Sequence, residues 1–436
     1  MLSNNSVQPT YLLHDVLKEL ECSDLLNGNE NTSKSKCGLN IVCHSEQANN
    51  GNKMVTYKKN TVKNETITTL GLFRSIIFNA EDEIICFAPP KAMAYDDFRN
   101  KYPDLSVLMI DEFIDGTMMN VYYDTQLVSN NNDNSILGGG WHISTRKSIG
   151  ADNYFYRYST NHTQRTFGDM FKETFMKTNI NTELLDKSCC YSFVMRHPEN
   201  RVVSYVNEPE LYLTDVFQLH HPPPNIVLDG LFQDLITPQV IQYNITRLCH
   251  VDINTMSVFI NSKVKFPKSF MIDTYEQLEQ IVKEHSPDGT LIKGYMIRCP
   301  ITNLRTKIIP EEYNFVKDLR GNFADLRLLF LTLHREGRIQ EYLHYYPENY
   351  QLFSEYMHLL GDYINCMHML YRDCFISKTK SLSEYPANFR THMYKLHGIY
   401  KQYYQPIRGH ISYKDVVDYV NELDIPLLFN TMFVPQ

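Results

Sequence analysis

The side chains able to do chemistry in this chain of 436 residues are mostly basic and widely spaced. Arg74 and Lys91 flank a pair of short apolar runs, and Arg146 and Lys147 follow the run Trp141–Thr145. Arg201 follows a Pro198–Asn200 turn, Lys293 precedes Gly294, and Lys307 lies six residues before Tyr313. Guanidinium and ammonium groups hold phosphates and carboxylates. Taken singly, Arg74 and Lys91 read as solvated strand-end charges and Asp115-Gly116 as a turn. Other constellations are weaker. His220 and His221 precede three prolines and point apart, which makes a poor chelate. Cys366, His368 and Cys374 fall on an expected helix, where residues two apart face different sides. Cys189-Cys190 precede a strand and read as buried thiols. The chain carries no GxSxG, HExxH, P-loop or paired CxxC. Its 30 Tyr and 23 Phe fall mostly at helical spacing, which suits a core better than base-stacking platforms.

The elements that must position these groups change character along the chain. Residues 1–66 are rich in Asn, Ser and Lys and read as a flexible N-terminal arm, with one short helix over Tyr11–Glu21 and a loop over Gly28–Lys53. From residue 67 short β-like runs begin: Phe73–Phe78, Glu83–Phe87, Val107–Ile110, Met118–Tyr123, Trp141–Thr145, Tyr191–Met195, Val202–Tyr205, Leu211–Leu219, Ser257–Ile260 and Leu291–Arg298. Helices are expected over Thr166–Lys177 and Tyr275–Glu284. After Tyr313 the period is helical, over Phe323–Glu336, Ile339–Tyr345, Tyr350–Phe375, Phe389–Tyr403 and Tyr413–Leu423. The expectation is an α+β chain of three parts: an arm over 1–66, an antiparallel-sheet domain over 67–314 and an all-helical C-terminal domain over 315–436.

Composition narrows the class. Hydrophobic residues make up 43% and charged residues 21%, which is too apolar for a disordered chain. There is no run of eighteen apolar residues, so no membrane span and no membrane partner are expected. The first residues lack the pattern of a secretory signal, and the ten scattered Cys suggest a reducing compartment, so the expected location is cytoplasmic. A net charge of −8 argues against general coating of DNA. Residues 315–436 carry 13 basic and 13 acidic side chains and have no net charge with which to grip a nucleic-acid backbone.

Four segments in order resemble the nucleotidyltransferase core of the phage-type RNA ligases, relatives of DNA ligases and mRNA capping enzymes. Arg74-Ser-Ile-Ile-Phe78 with Phe87-Ala-Pro-Pro-Lys91 resembles RGIxF…RPxxKFF. Asp115-Gly116-Thr117, followed by Trp141-His-Ile-Ser-Thr-Arg146-Lys-Ser148, resembles the KxDGS element and its downstream strand. Tyr191-Ser-Phe-Val-Met-Arg-His-Pro198-Glu-Asn200-Arg201-Val-Val resembles FELxxPxNRIV. Lys293-Gly294-Tyr-Met-Ile-Arg298, followed by Lys307-Ile-Ile309 and Tyr313, resembles EGYVVR…KIKxxxY. The resemblance covers about residues 72–320, and the helical tail also resembles ligase-like proteins of large DNA viruses. In such a case the location would be the host cytoplasm.

The resemblance implies a lysine amine that attacks the α-phosphate of ATP or GTP, with Mg at the site if the protein is active. This chain departs from the pattern at the positions that matter most for that step. Phe113 stands at the nucleophile position, Val194 and Lys293 stand where glutamates belong, and Ile309 replaces a lysine. Retained for a nucleotide or phosphate pocket are Arg74, Lys91, Asp115, Gly116, Arg146, Arg201 and Lys307, together with Asn200. The reading is a degenerate RNA ligase-like protein, a pseudoenzyme that binds a nucleotide or RNA end without a lysyl-nucleotide adduct; no protein metal site is expected. One alternative is an active ligase whose nucleophile has moved to Lys91, Lys147 or Lys293. Another is a structural or assembly protein that reuses the fold and meets a protein partner through its helical domain.

Overall fold

The computed structural model describes residues 10–12, 38–43, 51–81, 83–129, 132–133, 135–154, 165–220, 244–248, 256–284 and 292–433. Among these, the chain divides into two compact units, one before residue 315 and one from residue 315 onward.

The first unit is built on antiparallel sheets. A six-stranded sheet runs in the order Thr10–Leu12, Asn244–Arg247, Glu210–His220, Cys189–Arg196, Thr117–Tyr123, Trp141–Thr145. A four-stranded sheet runs Ser269–Phe270, Met109–Glu112, Tyr295–Arg298, Arg305–Ile308. A second one runs Leu39–Cys43, Lys53–Tyr57, Ile76–Phe78, Ile84–Phe87. These strands are rich in Val, Ile, Tyr and Phe, the residues that suit a pleated and partly buried surface. Two apolar clusters hold the unit together. One gathers Phe73, Ile76, Phe78, Phe87, Phe98, Tyr122 and Phe217, and the other Val121, Trp141, Phe171, Phe193 and Leu213. Helix Phe167–Lys177 covers the second cluster with Phe171 and Phe175, whose rings meet Phe193 at 6.1 and 6.4 Å. Its start is fixed by Thr166, which accepts from the Asp169 N–H while Asp169 accepts from the Thr166 N–H.

The second unit is helical: Leu326–Glu336, Ile339–Tyr345, Tyr350–Arg372, Ala387–Ile399, Tyr413–Glu422 and Ile425–Phe433, entered through helix Glu311–Arg320. Its interior is aromatic, with Tyr342 stacked on Tyr346 and Phe353 at 4.7 and 5.1 Å. The architecture is α+β, with antiparallel sheets followed by a helical region.

Several local expectations are corrected. Tyr11 and Leu12, expected to open a helix, belong instead to strand Thr10–Leu12, paired with Asn244–Arg247, and the Tyr11 ring packs on Phe87 at 5.3 Å; residues 13–21 lie outside the described residues. The stretch read as an arm also supplies Leu39–Cys43 and Lys53–Tyr57 to a sheet. Their apolar residues find partners only when distant strands assemble, so composition hid them. Val202–Tyr205 is a loop rather than a strand, and Ser257–Ile260 is a single helical turn. A four-residue apolar run fits either state, and here Val258 and Phe259 are buried from a turn. Helices Tyr95–Lys101 and Ile425–Phe433 were not anticipated.

Candidate functional site: a basic cavity between strands of the first unit

Strand Met109–Glu112 belongs to a four-stranded sheet and strand Thr117–Tyr123 to the six-stranded sheet, so residues 113–116 carry the chain from one sheet to the other. This crossing is pinned tightly. The Phe113 N–H donates to the Gly294 carbonyl at 2.9 Å. Gly116 has φ +144°, and a Cβ there would strike the Met195 carbonyl oxygen. Gly294 has φ +127°, and a Cβ there would strike the Ile308 carbonyl oxygen. Glycine is required at both positions by conformation and by space.

Asp115 is buried and serves this crossing. One carboxylate oxygen accepts from the Val203 and Ser204 N–H groups at 3.0 and 2.9 Å, and the other from the Tyr313 hydroxyl at 2.5 Å. Asn200 donates to the Thr117 hydroxyl at 2.7 Å. The Arg201 Nε donates to the Val203 carbonyl at 3.0 Å, and its guanidinium lies 5.4 Å from the Tyr205 ring. Asp115, Asn200 and Arg201 therefore brace the loops around the crossing.

The crossing forms one wall of a cavity of about 600 Å³. Of the expected pocket residues, Arg74, Lys91, Gly116, Arg146 and Lys307 line it, as do Lys147 and Lys293; Asp115 and Arg201 are not among its lining residues. The Phe113 ring also lines it, with the Lys293 ammonium 4.2 Å and the Lys307 ammonium 5.5 Å from its centroid. Cations over a ring face are held by its quadrupole. Lys293 also donates to the Ile114 carbonyl at 3.2 Å. On another side the Tyr57 ring carries Arg146 at 5.2 Å and Lys91 at 5.8 Å, and Lys91 donates to the Val62 carbonyl at 2.8 Å.

Sequence reasoning missed a third group. Arg298 and Arg305 line the cavity beside Asp215, which makes ion pairs with Arg247 and Arg298 at 2.8 Å and a longer one with Arg305 at 3.8 Å. Burial alone would raise the Asp215 carboxyl, but Arg298, Arg247 and Arg305 outweigh it and hold the group well below the ordinary carboxylate range. Burial also lowers the Arg74 guanidinium, and Arg146 adds to that effect. The signal for this group was present in the sequence: Arg305 and Lys307 are two apart on a strand and so share a face. Asp215, a carboxylate within the apolar run Leu211–Leu219, marked the partner.

The lining holds eight basic side chains and three acidic ones, Asp111, Glu112 and Asp215, in a chain whose net charge is −8. Such a cavity attracts anions. Among the described residues, no group of three His, Cys, Asp or Glu could hold a metal ion. Asp215 is enclosed by guanidiniums, and Asp111 accepts from the Ser269 hydroxyl at 2.7 Å. A divalent cation would enter most readily with a ligand's phosphates. No helix among the described residues is long and apolar enough to cross a membrane.

Comparison with known proteins gives limited likeness. No protein-family model matches the chain. Over 109 residues, 24% of this chain, it is 35% identical to an RNA ligase of Rhodothermus phage RM378. The match spans 22% of that relative's length. Two lysine-to-alanine variants of Naegleria gruberi RNA ligase, each solved with ATP and Mn, are similar in structure at 11% identity. One has a TM-score of 0.29 over 48% of this chain and 51% of that one, and the other 0.32 over 58% and 68%. A chain of Aquifex aeolicus assigned as an ATP-dependent DNA ligase is similar with a TM-score of 0.40, at 13% identity over 81% of each chain.

Proposed function

We propose that this chain is a ligase-type nucleotidyltransferase relative that binds a nucleotide or a phosphorylated RNA end in the basic cavity and forms no lysyl-nucleotide bond. The observation that carries the reading is Phe113. It stands two residues before Asp115, where the resembled pattern has its nucleophile, and its ring lies in the cavity wall under two ammonium groups. A phenyl ring has no lone pair to attack phosphorus. Val194, which also lines the cavity, offers no hydrogen bond to a ribose. The cations remain, so binding survives while the covalent step does not. The match to a phage RNA ligase supports the ligand class.

One observation favours a second reading. The Lys293 amine lies 4.2 Å from the Phe113 ring, within side-chain reach of the place a nucleophilic amine at 113 would occupy. It could act as a relocated nucleophile, with its nitrogen bonding the α-phosphorus and pyrophosphate leaving.

Incubation with α-labelled ATP or GTP and Mg or Mn, followed by denaturing electrophoresis, separates the two. The proposal expects no retained label and a raised melting temperature with nucleotide in a parallel sample. Retained label mapped to Lys293 establishes the second reading. Neither label nor thermal shift, with nucleotides and with 5′-phosphorylated RNA, overturns both and leaves a structural or assembly role.

A further inference from the structure

The helical unit is electrically neutral only as a sum. Residues 372–414 carry eight basic and two acidic side chains, and the rest of residues 315–436 carry five basic and eleven acidic ones. The basic stretch holds the ends of two helices that finish alike. Helix Tyr350–Arg372 runs into a π-helical turn, Asp373–Ser377, and then Lys378 at φ +56°. Helix Ala387–Ile399 runs into a π-helical turn, Tyr400–Tyr404, a short turn at Gln405–Ile407, and then Arg408 at φ +55°. Left-handed backbone at a helix end ordinarily takes glycine, whose missing Cβ avoids a clash. Here it carries a lysine and an arginine. Phe375 of the first turn stacks on His397 at 3.9 Å, and His397 stacks on Tyr400 of the second turn at 5.6 Å. The two helix ends therefore lie side by side.

These ends present apolar tips and cations together. Ile376, Tyr403 and Ile407 are 56%, 61% and 73% exposed. Lys378, Lys380, Lys401 and Arg408 lie within four residues of them and are exposed as well. None of these four basic residues makes a salt bridge among the described residues. The nearby Asp373 carboxylate accepts from the Tyr385 hydroxyl at 2.8 Å. Basic side chains alone suit any polyanion. Branched aliphatic side chains neither stack on a nucleobase nor bond a phosphate, but they gain by leaving water for hydrocarbon. An anionic lipid surface rewards both kinds of group at once. We propose that this end of the helical unit is a peripheral docking surface for an anionic lipid membrane. Ile376, Tyr403 and Ile407 enter the boundary between headgroups and acyl chains, and the four basic residues meet the lipid headgroup anions. Such a contact requires no spanning helix, and it is independent of the ligand in the basic cavity.

The test is sedimentation of the full chain with sucrose-loaded vesicles, either of phosphatidylcholine alone or with about 30% phosphatidylserine, at about 100 mM salt. Partitioning should be roughly tenfold or more stronger onto the anionic vesicles. Lys378→Asn with Arg408→Asn supplies a residue that tolerates left-handed backbone, and should weaken partitioning about fivefold per charge removed. Ile376→Ser with Ile407→Ser keeps every charge, and should weaken it about tenfold with an unchanged melting temperature. Where a double variant fails to fold, its two single substitutions replace it. No binding to the anionic vesicles overturns the inference, and so does binding indifferent to the isoleucine pair. Unphosphorylated single-stranded RNA held through Lys378 and Arg408, with no vesicle binding, overturns it in favour of a nucleic-acid contact. None of these outcomes bears on the proposed function, which is read with nucleotides.

Discussion

At the residue scale, groups that hold loops differ from groups that line the cavity. Asp115 belongs to the first set: it accepts from two N–H groups and one hydroxyl while buried. Asp115→Ala would strand all three donors, so unfolding free energy should fall by about 2–4 kcal/mol, measured by urea denaturation. Lys307 belongs to the second set. Removing one charge-assisted contact to a phosphate costs about 1.5–3 kcal/mol, so Lys307→Met should weaken nucleotide binding roughly ten- to a hundredfold with little change in melting temperature. A Lys307→Met protein that binds as tightly as the unaltered chain would remove that residue from the site. The sequence pattern grouped Asp115 with the phosphate-facing residues because spacing identifies a motif but does not say toward which neighbour a carboxylate turns.

At the element scale, the sheet-to-sheet crossing at 113–116 depends on close approach of backbone to backbone. Gly294→Ala adds a Cβ against the Ile308 carbonyl and forces an alanine to φ +127°. The soluble yield of that variant should drop sharply, and any folded fraction should melt well below the unaltered chain. The N-cap of helix Phe167–Lys177 offers a gentler probe. Thr166→Ala removes a side-chain acceptor for the Asp169 N–H, which should cost about 1 kcal/mol, or a few degrees in melting temperature. Strands Tyr191–Met195 and Trp141–Thr145 were legible from apolar and β-branched runs. Leu39–Cys43 was not, because its Asn- and Ser-rich surroundings carry no local signal and its pairing partner Lys53–Tyr57 lies across a loop.

At the scale of the whole molecule, buried histidines are expected to make stability depend on acid. Burial, with Lys172 adding to it, pushes His142 down to about 4 from its ordinary 6.5, and burial lowers His334 and His392 in the helical unit. For each, the unfolded chain takes up a proton before the folded one does. Stability from this source is complete above about pH 6.5 and is lost as pH falls toward 4. His142 alone accounts for roughly 3 kcal/mol across that window. Melting temperature should therefore fall steeply between pH 6.5 and 4.5, and His142→Gln should flatten the fall; an unchanged slope would place the effect elsewhere. Ligand binding in so basic a cavity should also weaken as salt rises from 50 to 300 mM, since counter-ions compete for the same charges.

The sequence by itself determined the α+β order of elements, the helical period after residue 313, the cationic residues at 74, 91, 146 and 307, and the phenylalanine two residues before Asp115. These are properties of local pattern, and pattern survives without neighbours. Only the tertiary structure decided which cations converge. It turned Arg201 and Asp115 toward loops, set Lys293 over the Phe113 ring, and gathered Arg247, Arg298 and Arg305 around Asp215. The cluster around Asp215 joins residues from four separate strands, and strand pairing over long separations is set by burial and register rather than by nearby sequence.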